Sequence, residues 1–553
     1  MKLLSYTLAT LLVFIVIAFL SLMHCSLSSG PMKEAADVSA PPMPGNHVVK
    51  TSRLLKRDAT ERAVITADEP DLFLQKTPAE FNTEAYDYIS DNPFLSVRQN
   101  PLSTFSIDVD TASYANIRRF LNQGRMPPKD AVRIEEMINY FSYDYPAPAE
   151  DAPFSVHTEI AACPWNPEHR LIRIGLKGRE MSGKTRPPAN LVFLADVSGS
   201  MSSPDKLPLL QKAMKLLVRN LEEKDRMAIA VYAGASGLVL PSTICDKKNK
   251  AKLLNAIDNL SSGGSTHGSE GIRLAYETAK ENFIADGVNR VILATDGDFN
   301  VGVTNQGDLI RLIEEKAKSG IFLTVLGFGT GNLKDSTMEK LADKGNGNYG
   351  YIDSISEARK ILVEETGGTL VTIAKDVKIQ VEFNPAQVSE YRLIGYENRV
   401  LRAEDFNDDK KDAGEIGAGH TVTAFYELIP AGGSLSGKVD PLKYQQPVQP
   451  SEASGTGELL TVKLRYKEPA GDTSKLLSIA VKDKDNTVEN ASQDFRFASA
   501  VAAFGMLLRD SPHKGNADYE EVIRLALSAK GSDEYGYRAE CVSLMRNAAS
   551  LSQ

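Results

Sequence analysis

Cysteine is scarce in this chain: there are four, Cys25, Cys163, Cys245 and Cys541, and no two stand in a C-x-x-C pair. That spacing excludes a dithiol redox motif and a thiolate zinc knuckle, and Cys163, Cys245 and Cys541 are expected to be buried thiols. Histidines are few as well, and no His/Cys cluster forms anywhere. Positive charge is in deficit, with 63 Lys and Arg against 72 Asp and Glu and a net charge of -9. No arginine-rich or aromatic-basic stripe appears, so a nucleic-acid binder is excluded. Beyond residue 25 there is no apolar run long enough to cross a bilayer, and no clear internal repeat.

What is present begins with a leader. Met1-Lys2 precedes an apolar stretch from Leu3 to Met23, which ends at His24-Cys25-Ser26. One basic residue, an apolar core and a short polar exit have the form of a secretory signal. Leu22-Met23-His24-Cys25 resembles the bacterial lipoprotein box, in which the cysteine is lipidated; this makes Cys25 the candidate lipidation site. An uncleaved anchor and ordinary secretion are the alternatives. All three put the body of the chain outside the cytoplasm, in the cell envelope facing the periplasm or exterior, with the membrane reached through the N-terminus.

At 553 residues, 42% hydrophobic and 24% charged, the chain should form several folded domains. Residues 26–95 are rich in Ser, Pro, Ala and charge and read as a disordered tether. Residues 96–150 hold a short strand around Phe105–Val109 and two helices, the second from Asp130 through Phe141. Asp108-x-Asp110-x-x-Ser113 invites a phosphatase reading, but no downstream lysine and aspartates match it; Asp110 or Thr111 is expected to cap a helix. Alternation over 151–187 predicts antiparallel strands. Residues 188–366 alternate strand and helix, the pattern of a doubly wound, mainly parallel α/β sheet. Alternating strands over 367–480 predict a β-sandwich region, and 481–553 a C-terminal helical segment.

One stretch organises the α/β part. After Asn190, Leu191 to Ala195 is a continuous apolar run that ends on Asp196, with Ser198 and Ser200 following at alternate positions. Arg290 to Thr295 repeats the theme and ends on Asp296. In such sheets ligands collect at the carboxyl ends of the strands, where the Gly263–Thr266 loop is also expected. The donors are all oxygens, which favours Mg2+, with Mn2+ or Ca2+ next, over zinc or copper. Incomplete neutralisation of such an ion would welcome a carboxylate from another molecule.

Asp196-x-Ser198-x-Ser200, Thr266 in its Gly-Gly-Ser-Thr loop, and Thr295-Asp296-Gly297 resemble the metal-ion-dependent adhesion site of von Willebrand factor type A domains, a Rossmann-like fold. The resemblance implies that Ser198 and Ser200 bind the ion directly, Thr266 joins when ligand is bound, and Asp196 and Asp296 act directly or through water. His267 is expected to be an exposed loop residue, and Asp298 a neighbour with no role. With its flanks the chain resembles the bacterial YfbK-type group, also labelled calcium-activated chloride channel homologues; the absence of spanning segments argues against a channel. The expected function is metal-dependent binding of a protein that presents Asp or Glu, at the cell envelope. A structural envelope protein with a non-functional ion site is the alternative. A metal-dependent hydrolase is disfavoured because no histidine or spare carboxylate is placed as a base, so no enzyme is expected.

Overall fold

Short polar–apolar alternation builds the first strands, β1 (Leu95–Ser96) and β2 (Leu102–Ser106), ahead of helices α1 (Ala112–Asn122) and α2 (Ile134–Asn139). A long hairpin, β3 (Phe154–Cys163) and β4 (Asn166–Gly178), follows. These elements come from a computed structural model that describes residues 84–553 except 108–109, 150–151, 182–184, 234–235, 264–268, 298–305, 366–370, 412, 434–449 and 470.

Apolar continuity then takes over. β5 (Ala189–Asp196) is buried at every residue. After it come α3 (Leu207–Asn220), β6 (Arg226–Tyr232), β7 (Ser236–Ile244), α4 (Lys247–Asp258), α5 (Ser269–Glu281) and β8 (Val288–Thr295). The domain continues through α6 (Gln306–Lys318), β9 (Phe322–Phe328), α7 (Asp335–Lys344), β10 (Tyr349–Ile352) and α8 (Ile355–Arg359). The sheet order is β10-β9-β8-β5-β6-β7, parallel except at the β6–β7 edge. Leu191, Phe193 and Ala195 share one core with Leu210, Met214 and Leu217 of α3. Val192 and Leu194 share the other with Ile272 and Tyr276 of α5. Both faces of β5 are covered, as a run without polar alternation requires.

The last helix of this domain is irregular. After α8 the backbone widens into a π-helical turn, Lys360–Glu364. There the Glu365 N–H donates to the Lys360 carbonyl at 2.9 Å, and the buried Lys360 ammonium meets the Glu365 carboxylate. A five-residue spacing places both on one side of a π turn, where an α-helix would separate them.

The chain then returns to the strands it began with. β11 (Thr372–Phe383), β12 (Val388–Ile394), β13 (Val400–Leu401), β14 (Gly414–Gly417), β15 (Thr421–Pro430), β16 (Leu460–Lys467) and β17 (Lys475–Val481) complete two sheets. One runs β1-β12-β15-β4-β3; the other runs β13-β2-β11-β16-β17, with β14 on β11. Each mixes strands from before and after the α/β domain, which is therefore inserted into a single β-sandwich. The strands at 151–187 and the sandwich region at 367–480, separate in the sequence reading, are joined by the β4–β15 register, Lys177 opposite Thr421. Between the sheets, Phe383 stacks on Tyr391 at 3.9 Å and Phe105 lies edge-on to Tyr426. Helix α9 (Gln493–Arg509), buried along most of its length, covers the outer face of the first sheet, with Phe495 edge-on to Phe425. Helices α10 (Tyr519–Ser528) and α11 (Tyr537–Leu551) pack beside it.

Several expectations change. The tether ends before residue 84, because both Glu84 oxygens bind Arg119 at 2.8 and 2.9 Å and Asn92 donates to the Leu393 and Gly395 carbonyls. Polar anchors hold this stretch, so no apolar period advertises it. Asp110 accepts from the Tyr349 N–H at 2.7 Å instead of capping α1, and Thr111 at the N-cap makes no side-chain bond there. Asp108 lies outside the described residues. The second helix begins later than Asp130, with a 3-10 turn at Lys129–Ala131 ahead of α2. Cys163, Cys245 and Cys541 are buried and unpaired, and Cys25 is outside the described residues. Among the described residues no helix is long and apolar enough to cross a membrane.

Ion pairs tie the α/β domain, the sandwich and the helices to one another. Arg118 reaches Asp353, Glu357 and Glu540, Arg399 reaches Glu339 and Asp343, and Arg509 reaches Asp91 and Glu397. Glu135 of α2 sits at this seam with one oxygen lacking any hydrogen-bond partner. Burial first, then the Glu397 charge, pushes its carboxyl from an ordinary 4.5 up to about 7. The folded state therefore keeps the Glu135 proton where the unfolded chain has lost it. Stability from this group is full below pH 4.5 and is lost as pH rises through 7. Glu135→Gln should raise unfolding stability by on the order of 2 kcal/mol at pH 8 and hardly change it at pH 5, read as urea midpoints; equal offsets at both pH values would contradict this.

Candidate functional site

β5 ends on Asp196 and β8 ends on Thr295, one residue before Asp296. The strands are parallel neighbours with Ala195 opposite Ala294, so the two carboxylates emerge side by side at the carboxyl edge of the sheet. Both are fully buried, at 0% and 1% exposure. Asp196 Oδ1 accepts from the Ser198 N–H at 2.8 Å, which sets the turn after β5. Asp196 Oδ2 accepts from Thr295 Oγ1 at 3.5 Å, which links the ends of the two strands. Ser198 and Ser200 hydroxyls lie 2.9 Å apart, the first buried and the second exposed. Gly297 turns the chain after Asp296 with φ +94°, and a Cβ there would meet the Asn332 carbonyl and Lys334 N at 2.7 Å.

Four of the five expected ion ligands therefore converge: Asp196, Ser198, Ser200 and Asp296. Thr266 lies outside the described residues, as do His267 and Asp298. The chain enters the Thr266 loop at Gly263, whose N–H donates to the Val197 carbonyl at 2.8 Å, beside the Asp196 turn.

One residue of the site escaped the sequence reading. Lys206 Nζ donates to Asp296 Oδ2 at 2.9 Å, with both side chains buried. Its stem lies against Gly329, where φ is +72° and a Cβ would stand 2.3 Å from Lys206 Cε. The signal was present: Lys206 is the N-cap of α3, at the helix end where the dipole disfavours a cation. A lysine there needs a carboxylate to face.

The electrostatics follow. Burial holds the Asp196 carboxyl up at about 6, with the Asp296 charge adding to it, against hydrogen bonds from Ser198 and Tyr232. Two buried carboxylates with hydroxyls between them and solvent attract a cation, and Lys206 supplies one. The all-oxygen donor set fits a hard divalent ion. Among the described residues no group of three His, Cys, Asp or Glu side chains forms a metal cage, so any ion here relies on hydroxyls as well as carboxylates.

This fold and edge define a von Willebrand factor type A domain, a protein-interaction or adhesion module, and the family model of that name matches residues 190–364. A second von Willebrand factor model matches residues 80–173, and the model described as the C-terminal part of uncharacterized protein YfbK matches 368–551. Uncharacterized protein YfbK of Escherichia coli strain K12 is 45% identical over 471 residues, 84% of this chain and 80% of that one. The chain belongs to the YfbK family. Uncharacterized protein sll0103 of Synechocystis is 30% identical over 192 residues, 34% of this chain and 43% of that one. Among solved structures, the von Willebrand factor type A protein from Catenulispora acidiphila is 16% identical, with a TM-score of 0.40 over 72% of this chain and 91% of that one.

Removing the ammonium leaves the site's negative charge without its internal partner. In chelator, Lys206→Met should lower unfolding stability by about 3 kcal/mol, read from urea denaturation; an unchanged midpoint would show that Lys206 is not a counter-ion of Asp296.

Proposed function

We propose that the protein is a metal-ion-dependent protein-binding module of the cell envelope, and not an enzyme. The observation that carries this reading is the convergence of Asp196, Ser198, Ser200 and Asp296 at one sheet edge, with the Ser200 side open to solvent. Magnesium, or manganese or calcium in its place, would be held by these four residues and Thr266. When bound, the ion supplies an electrophilic position for a carboxylate oxygen of a partner's Asp or Glu. The chain's own part is to hold the donors in place. Asp196 fixes the Ser198 turn, Gly297 lets the chain pass close to the Asn332–Lys334 loop, and Lys206 takes half of the Asp296 carboxylate. Because that ammonium offsets one of the two carboxylate charges, a divalent ion here would be left with more net positive charge than two free carboxylates would allow. This favours capture of an external anion. The apolar leader and Cys25 support location at a membrane of the envelope, facing the periplasm or exterior.

A second reading, a structural envelope protein with a non-functional ion site, is favoured by the same Lys206–Asp296 pair, since a built-in cation can substitute for a bound one. Capture from an envelope extract separates the two. The binding reading predicts cross-linked partners in magnesium, loss of them in chelator, and loss of them in Asp196→Ala with circular dichroism unchanged; equal capture under all three conditions would sink it.

A further inference from the structure

Seven arginines among the described residues are essentially buried, and six of them, Arg118 and Arg392 for example, reach a carboxylate within ion-pair distance. Arg290 is the exception. It stands near the start of β8 at 2% exposure, donates from Nη1 to Thr324 Oγ1 at 2.7 Å, and leaves its buried Nε with no acceptor. Burial lowers its pKa to about 10, a pull that the Glu415 charge only partly offsets, so it remains charged at neutral pH. A buried guanidinium without a counter-anion is unfavourable by several kcal/mol, so its position calls for an anion from outside the chain.

Arg290 lines a cavity of about 380 Å³ between the α/β domain and the sandwich, within the size range of small-molecule sites. The walls bring five cationic side chains against two carboxylates; Arg399 pairs with Asp343 and Glu339 and Lys344 with Glu314, which leaves Arg290, Lys410 and Lys411 as the charges facing the cavity. Both carboxylates have other partners: Asp343 pairs with Arg399, and Glu415 accepts from Thr372 Oγ1 at 2.8 Å. His420 also lines the cavity, and burial pushes its pKa down, so it offers a neutral ring N–H. This excess of positive charge stands out in a chain of net charge -9. The cavity is separate from the adhesion edge, because Arg290 and Asp296 are six residues apart along β8 and its exit, roughly 20 Å of extended chain.

We propose that this cavity binds a small oxyanion, a phosphate- or carboxylate-bearing metabolite, with Arg290 as its central ligand and Lys410 and Lys411 at the mouth. The planar guanidinium presents paired donors to either class of oxyanion, and the bound anion would bridge the α/β domain and the sandwich.

Isothermal titration of the full chain in detergent, with inorganic phosphate and separately with succinate, tests this. Saturable one-site binding of at least one anion is expected, and the tighter probe identifies the ligand class. Arg290→Met should weaken it at least ~10-fold. Should that variant fail to fold, Lys410→Gln combined with Lys411→Gln alters only exposed side chains and should weaken binding about 3-fold. Absence of binding for both anions at 10 mM (a probe concentration on the order of the weakest relevant Kd), or binding unaltered in the folded variants, would overturn the proposal.

Discussion

Two carboxylates buried next to each other at the ends of parallel strands cannot both stay charged without a cation nearby. That constraint governs the β5–β8 edge of this protein. β5 and β8 have to be largely apolar, because helices cover both faces, and their locked registers bring Asp196 and Asp296 to the same sheet edge, Asp296 one residue beyond the end of β8. Lys206 answers part of the demand from within the fold, held by the close approach of its stem to Gly329. The rest of the demand falls on the open side of Ser200. Sheet hydrogen bonding, glycine geometry and charge pairing thus lead to one place, and the proposed ion binding follows from that convergence.

The same rule orders the rest of the molecule. The α/β domain is inserted into a sandwich whose sheets draw strands from both sides of it, and buried arginines fasten the pieces. Arg118, Arg133 and the half-buried Arg399 each meet more than one carboxylate across these boundaries. Such pairs are weak sources of net stability, yet losing one partner is strongly destabilising, so they fix how the parts meet. Against that background Arg290, with a cavity where its carboxylate would be, is the departure that points to an external anion.

Much of the α/β domain was legible because its signals are local. Uninterrupted apolar runs at 191–195 and 291–294, each leading to an aspartate at the strand's end, give the parallel strands and the edge they share. Asp196, Ser198, Ser200 and Asp296 could be assembled from that pattern, and the structure brings them together. The sandwich was only half legible. Alternation located β4 and β15, but their pairing spans the whole inserted domain, and no local feature encodes that partnership. Glu84 and Asn92 were missed because single polar anchors leave no period. Lys206 was missed for a related reason: its importance lies in an ion pair across 90 residues of sequence. Its one local trace is a cation at a helix start.

The central claim is that the β5–β8 edge holds a divalent ion. The most direct measurement is an anomalous difference map from crystals of the protein grown in manganese. The account predicts a single strong peak among Ser198, Ser200 and the Asp196 and Asp296 carboxylates. A map with no peak there, while Lys206 keeps its contact with Asp296, would contradict it.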